Sequence, residues 1–322
     1  MTTSIPSTSL TTLRIGTRKS PLATWQAEHV AGLLRFRGFS VELVPITTSG
    51  DVLSGSLTQS GGVGLFTKEI QRALLDHRCD LAVHSLKDLP TEPVEGLCLA
   101  AVPEREDPSD CLIARGNCNL ESLPSGSIVG TGSPRRRAQL LQARPDLKLS
   151  DIRGNVDTRL KKLANGEFDA IILALAGLRR LGLEHVVTQR LSWEVMLPAV
   201  GQAALGLETR TDDSATIEAV QMLNHPSSHL AVFCEREVLR ALNAGCLAPV
   251  AVHARCVDRE LFMTCRVFSS DYKQLVVAEH RISAAQPLAL DRSLGERLVA
   301  EIMKQLRLHG AELLISAARK SG

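Results

Sequence analysis

Residues 128–137 read Ile128-Val129-Gly130-Thr131-Gly132-Ser133-Pro134-Arg135-Arg136-Arg137, a short strand that turns through small residues directly into a helix. Ser133 suits the N-cap, where its hydroxyl can accept from a backbone N–H of the first turn. Pro134 suits the first helical position, where its missing N–H costs nothing. The alternation continues downstream with a strand around Leu147 to Ile152, a helix from Val156 capped by Asn155, and an apolar strand from Ala170 to Leu175. It also runs upstream. Leu13-Arg14-Ile15-Gly16 reads as a strand, and Ser20-Pro21 opens a helix with an apolar stripe of Leu22, Trp25, Val30, Leu33 and Leu34 that Gly38 ends. Val41 to Ile46 is a second strand, Phe66 to His77 a helix, and Leu81-Ala82-Val83 a short buried strand. Strand and helix in turn predict an α/β fold.

Between these two runs lies Pro103 to Asp110, PEREDPSD, with two prolines, clustered charge and no apolar period; it reads as an interdomain crossover. Pro198 to Gly201 reads as the return. From about Ser227 a third unit begins, with a helix carrying Phe233, Val238 and Leu242, strands near 250–256 and 260–268, and a last helix near Leu294 to Leu308. A chain of 322 residues has room for two or three such domains.

With 37 Lys and Arg against 35 Asp and Glu, the net charge is only +2, which argues against a general nucleic-acid binder. Any anion site must come from local clustering. Met1 to Thr12 is polar and lacks the basic start and apolar stretch of a secretory signal, and the longest apolar run, Ala170 to Leu178, is too short to span a bilayer. A cytoplasmic protein is expected, with no membrane partner. Eight cysteines without a CxxC pair predict reduced thiols, most of them in cores.

Three constellations could carry chemistry. The first is the arginine set Arg135, Arg136 and Arg137 at a capped helix start, joined by Arg153-Gly154-Asn155, Arg159, and Arg179 and Arg180 after the next strand. Helix N-termini favour anions, arginines add bidentate carboxylate recognition, and ligands collect at the carboxyl ends of strands in open α/β sheets. No GK[ST] follows the glycines, so this is not a P-loop. The second is His84-Ser85-Leu86-Lys87-Asp88-Leu89-Pro90, where a carboxylate after a buried strand could move protons, while His84 reads as a satisfied strand-end histidine. The third is Asn243-Ala244-Gly245-Cys246, which puts a thiol in a loop after a helix end; Cys79, Cys98, Cys111 and Cys234 lie in or beside apolar segments. His225 and His229 stand one helical turn apart, but with no third ligand nearby they read as surface residues and no metal is expected.

With those residues in view, the chain from about Leu13 to Ala318 resembles the porphobilinogen deaminase family. The resemblance is carried by LRIGTRKSPLATWQA, GLFTKE at Gly64 to Glu69, AVHSLKDLPT, EREDP, GTGSPRRRAQL, RGNVDTRL, DAIILALAGLRRLG, LPAVGQAALGLE and AGCLAPVAVHA around Cys246. It implies two α/β domains like type II periplasmic binding proteins, at 1–104 with 199–222 and at 105–198, and a small α+β domain at 223–322. It further implies a dipyrromethane cofactor joined by a thioether to Cys246, Asp88 handling protons at the pyrrole nitrogens, and a monomer. Lys87, Asp88, Ser133, Arg135, Arg136, Arg153 and Asn155 match cofactor-binding positions. Arg18, Ser20, Phe66, Arg153, Arg159 and Arg180 match positions that bind substrate. The implied reaction condenses four porphobilinogen molecules on that primer with loss of ammonia, then releases hydroxymethylbilane by hydrolysis. Each added unit brings two carboxylates, which is why such a cleft needs arginines.

This chain departs from the common pattern at Gln59 and Val63, where lysines are frequent, at Ala203 and Ala244, where glycine is frequent, and at Pro134 and Arg137. A non-catalytic anion-binding protein of the two-lobed fold is the competing reading, and it explains neither Asp88 nor Cys246. A nucleic-acid binder using Arg135 to Arg137 would lack an aromatic platform.

Overall fold

The computed structural model describes residues 12–47, 67–244, 248–283 and 291–320. In chain order β1 (Leu13–Thr17), α1 (Pro21–Phe36), β2 (Val41–Pro45), α2 (Lys68–Leu75), β3 (Leu81–Ser85) and β4 (Leu97–Ala101) come first. Next are β5 (Asp110–Ala114), β6 (Ile128–Gly130), α3 (Pro134–Ala143), β7 (Lys148–Ser150), α4 (Val156–Ala164), β8 (Ala170–Ala174), α5 (Leu175–Arg180) and β9 (Gln189–Arg190). The remainder is β10 (Leu205–Arg210), α6 (Ser214–Gln221), α7 (Pro226–Ala241), β11 (Val250–Val257), β12 (Glu260–Phe268), β13 (Leu275–Ser283), α8 (Arg292–Leu308) and α9 (Ala311–Lys320). These residues fall into two compact units: Met1–His84, Pro93–Ala101 and Leu205–Asn224 in the first, Ser85–Glu92, Val102–Ala204 and His225–Gly322 in the second.

The first unit is built on a sheet of order β2-β1-β3-β10-β4, with β1 parallel to both neighbours and β10 antiparallel to β4. The Ser20 hydroxyl accepts from Ala23 N at 3.4 Å and starts α1, which buries Gln26, Ala27, Val30, Ala31 and Leu34. Trp25 corrects the sequence-based stripe. Five residues from Val30, it lies well round the helix from that face, is 38% exposed, and stacks on His29 with ring centroids 5.0 Å apart. His84, in β3, is buried with its Nε2 2.9 Å from Glu208 Oε2, while Gln71 Nε2 donates to the other oxygen at 2.9 Å. It is the satisfied histidine that its position predicts.

The second unit holds two sheets. One has the order β7-β6-β8-β5-β9, the same pattern as the first unit's sheet, with β6 parallel to β7 and β8 and with β5 antiparallel to β8 and β9. The other is an antiparallel meander, β11-β12-β13, against which α7 and α8 bury Leu230, Cys234, Val238, Leu298 and Ile302 together with Val252, Leu261 and Cys265. Each fully buried aliphatic side chain of this kind is worth about 1.5–3 kcal/mol. The α/β class, two five-stranded sheets of matching strand order and a smaller α+β part are thus all present.

Several elements escape the sequence reading. β13 contains Glu279, His280 and Arg281 and buries only Ala278 among its residues, so its apolar alternation is weak. α9, α6 and β10 likewise lie outside the elements that the sequence predicts; β10 is buried at all six positions, including Glu208, Thr209 and Arg210, which no period-two pattern reports.

A buried ion pair stands inside the second unit. Glu235 of α7 is 0% exposed and accepts from Arg105 Nη1 at 2.7 Å, Arg105 Nη2 at 3.1 Å, Gly201 N at 2.7 Å and Ala254 N at 2.9 Å. Four donors on one carboxylate offset the desolvation that an isolated buried charge would suffer. Arg105 belongs to the PEREDPSD stretch, so the charge clustered in that crossover is partly buried and paired.

Candidate active site

Because β6, β7 and β8 are parallel, their carboxyl ends lie along one edge of the sheet. From that edge emerge Ser133, Arg135 and Arg136 after β6, Arg153, Asn155 and Arg159 after β7, and Arg179 and Arg180 on α5 after β8. Both caps are made as their residue types predict: Ser133 Oγ accepts from Arg136 N at 3.5 Å, and Asn155 Oδ1 accepts from Thr158 N at 3.1 Å. Gly154 between them has φ +111°, and a Cβ there would meet Thr158 at 2.7 Å, so only glycine passes.

The arginines differ in what they are free to do. Arg153 is exposed and makes no hydrogen bond or ion pair among the described residues. Arg159 is half-buried, donates Nε to Gly154 O at 2.7 Å, and has its pKa lowered by burial first and by Arg136 and Arg153 next. Arg180 donates Nη2 to Ala203 O at 2.5 Å, and burial pushes its pKa down to about 10 against the opposing charge of Glu106. Arg179 instead spends its charge on Glu106 and Glu184, each at 2.8 Å.

Arg135 and Arg136 are buried and turned onto Asp110, a residue the sequence reading left inside the crossover. Asp110 opens β5 and pairs in register with Ala174, the last residue of β8; being on an antiparallel strand, its first residue reaches the same edge. Arg136 donates Nε and Nη2 to Oδ1 at 3.1 and 2.7 Å, and Nη1 to Ile172 O at 3.0 Å. Arg135 Nη1 lies 2.8 Å from Oδ2, an ion pair that misses the direction of a hydrogen bond, and donates instead to Leu197 O. The two guanidiniums hold the Asp110 carboxyl far below the usual range despite its burial. A signal was available: an aspartate directly before Cys-Leu-Ile-Ala, at the first position of a buried strand, is seldom a solvated charge.

Lys87 and Asp88 sit on a single 3-10 turn, Leu86–Asp88, which follows β3 and is anchored by buried Leu86. Leu86 N donates to Ala204 O at 3.0 Å, and Leu89 N to Leu86 O at 3.2 Å. The Asp88 carboxylate is exposed; Lys87 is half-buried, and neither makes a hydrogen bond or ion pair among the described residues. Burial pushes the Lys87 pKa down to about 8; Arg136 and Arg135 lower it further, and Asp88 and Asp110 oppose them. The turn therefore stands within the field of the arginine edge.

The strip beneath this turn carries a strained residue. Gly201 has φ +67°, and a Cβ on it would come within 3.3 Å of Lys87 N. Ala203 has φ +71°, where an L side chain costs about 1–2 kcal/mol. The missing glycine of GQAALG is thus felt in the backbone. Since glycine also gains entropy in the unfolded chain, Ala203→Gly should raise stability by only about 0.5–1 kcal/mol, read as a higher denaturant midpoint at constant m.

Arg18 and Ser20 belong to the first unit, just past β1, with Ser20 engaged as the α1 cap. Phe66 and Cys246, with Gln59 and Val63, lie outside the described residues. Of the other cysteines, Cys79, Cys111, Cys234 and Cys265 are buried. His225 pairs with Ser228 Oγ at 2.8 Å and His229 is half-buried; among the described residues no three metal-ligating side chains gather. No helix among them is long and apolar enough to cross a membrane.

A family model described as porphobilinogen deaminase, dipyromethane cofactor binding domain, matches residues 13–218, and a second, porphobilinogen deaminase, C-terminal domain, matches residues 229–303. The chain belongs to the porphobilinogen deaminase family. Its function is accordingly the synthesis of hydroxymethylbilane in tetrapyrrole biosynthesis, with a dipyrromethane cofactor. Among solved structures it is similar to a periplasmic substrate-binding protein of an ABC transporter from Coxiella burnetii, at 15% identity over 70% of this chain and 95% of that one, with a TM-score of 0.42. It is also similar to the periplasmic VFT2 domain of BvgS from Bordetella pertussis, at 15% identity over 65% of this chain and 85% of that one, with a TM-score of 0.40. Arg153 and Arg159 offer cationic donors at this edge, and Lys87, within the field of Arg135 and Arg136, is followed in the chain by the exposed Asp88 carboxylate.

Proposed function

We propose that Asp88 moves the protons of this transferase reaction, that Cys246 carries its primer, and that the edge arginines bind the acetate and propionate carboxylates. One observation supports the assignment above the others: an exposed, unengaged carboxylate on a turn anchored by buried Leu86, next to a lysine that feels Arg135 and Arg136. The dipyrromethane group, when bound, supplies a covalently held pyrrole with a free α-carbon. Asp88 can accept a hydrogen bond from pyrrole N–H, stabilise positive charge that develops there, and afterwards take the proton released at the α-carbon. Arg153 and Arg159 hold carboxylates through planar forks, and Lys87 adds a point charge. Arg18, Ser20 and Phe66 contribute to substrate binding on the strength of the family match. Porphobilinogen consumed should equal ammonia released, mole for mole, with purified protein; consumption without ammonia would defeat this reading.

Domains at 1–104 with 199–222, at 105–198 and at 223–322 belong to the same proposal, supported by three separate sheets. So do a cytoplasmic location and a monomer without nucleic-acid or membrane partners, which rest on charge balance and family resemblance.

The arginines give a graded test. Arg153→Lys keeps the charge of an exposed side chain but loses its fork, so KM for porphobilinogen should rise by about tenfold with melting temperature unchanged. Arg307→Lys, whose guanidinium pairs with Glu312 at 2.9 Å on an exposed helix end, should leave both values alone. Equal KM in the two variants removes Arg153 from the site.

A further inference from the structure

We propose that Asp110 is a positioning residue of the carboxylate site: it holds Arg135 and Arg136 as one fixed pair of forks and offsets their charge beside Lys87. This rests on the proposed function. Asp110 is 0% exposed and therefore meets no ligand itself, yet its Oδ1 takes two donors from Arg136 and its Oδ2 lies 2.8 Å from Arg135. A guanidinium carries five N–H groups. Hydrogen bonds from Nε and Nη2 to Asp110 and from Nη1 to Ile172 O lock the plane of Arg136, while Arg135 is anchored at Nη1 by its ion pair with Asp110 and its bond to Leu197 O; the N–H groups left over on both arginines remain for an incoming carboxylate. Forks fixed in advance lose little freedom on binding, which is where planar carboxylate recognition gains its strength.

A second set of contacts ties this carboxylate to the proton-handling turn. Gln202 Nε2 donates to Asp110 Oδ1 at 3.0 Å and to Pro108 O at 2.7 Å. Gln202 lies between Gly201, whose Cα side abuts Leu86 and Lys87 N, and Ala204, whose carbonyl receives Leu86 N. One buried charge thus sets both the arginine planes and the strip on which Lys87 and Asp88 rest. The charged groups acting on Lys87 are Asp88 on its own turn, Arg135 and Arg136 from α3, and Asp110 from β5. With Asp110 neutral, two buried cations would face the Lys87 ammonium unopposed except by Asp88.

The test uses the full-length, primer-bearing protein and the variants Asp110→Asn and Asp110→Glu, with KM, kcat and melting temperature measured from pH 6 to 9. In Asp110→Asn, KM for porphobilinogen should rise by about ten- to a hundredfold, the scale of a lost charge-assisted hydrogen bond, while kcat falls less. The alkaline limb of kcat/KM should move about one pH unit lower, because Lys87 sheds its proton earlier; Asp110→Glu should return the limb toward its original position. A purely structural carboxylate would lower the melting temperature and leave that limb where it was. A folded Asp110→Asn protein with unchanged KM and limb overturns the proposal. If Asp110→Asn does not fold, Gln202→Met, which removes only the two Gln202 donor contacts, is judged by the same readouts: a smaller KM rise with a limb shift supports the proposal, and unchanged values overturn it. Ammonia release by the unaltered protein separates the two assignments. If release holds while the variants behave as wild type, the function stands and the role of Asp110 falls; if release fails, both fall.

Discussion

Asp88→Asn is expected to give a folded protein that has lost about 10²- to 10⁴-fold in kcat, the usual contribution of a positioned general acid or base. The substitution keeps size and shape. Asp88 is exposed and makes no hydrogen bond or ion pair among the described residues, so the amide breaks nothing that holds the turn, and the melting temperature should not move. What is lost is the negative charge and the site for a proton. An amide can still accept from a pyrrole N–H through its carbonyl, which is why KM should change much less than kcat; that split separates proton handling from binding. Asp88→Glu retains the carboxylate but moves it outward by one methylene, so it should recover part of the rate. The measurement is steady-state consumption of porphobilinogen alongside a thermal melt. Near-wild-type kcat in a folded Asp88→Asn protein would remove Asp88 from the mechanism.

The second large effect concerns Cys246. The purified protein should be heavier than its sequence by two porphobilinogen units less the ammonia lost in assembling them. A peptide map should put that mass on the peptide containing Cys246. The structure narrows the alternatives among the remaining thiols, because the thiolate and not the thiol is the nucleophile. Burial pushes Cys79 and Cys256 up to about 11 and Cys111 and Cys265 up to about 12, and it raises Cys234 as well. At neutral pH these five stay protonated and make poor attachment points. Cys246→Ser should lack the added mass, give no colour with an acidic aldehyde reagent for pyrroles, and show no turnover. An unmodified, fully active protein would falsify the assignment. An unmodified, inactive one is incubated with porphobilinogen first, and failure to gain mass then counts equally against it.

Local chemistry made much of this protein legible from residue order alone. Ser20-Pro21, Ser133-Pro134 and Asn155 announce helix starts because capping is satisfied within three residues, and all three caps form. Apolar runs such as Ala170 to Leu175 announce buried strands for the same reason, since burial on both sheet faces leaves no polar position. Alternation of the two gives the α/β class, and the parallel order then brings Ser133, Arg153 and Arg180 to one edge. The signal fails where neighbours distant in sequence decide the outcome. Trp25 looks like core until the helix phase is fixed by the sheet it covers. Asp110 looks like one of the clustered charges of a crossover until strand register sets it between Arg135 and Arg136. Ala203 looks like a tolerated small residue until the turn around it demands a positive φ. Sequence by itself determined the elements and the inventory of reactive groups, because caps, periods and turns act over a few residues. Only the tertiary structure decided which arginines are exposed and which are held by a buried carboxylate, because charge and burial act through space between residues that the chain keeps far apart.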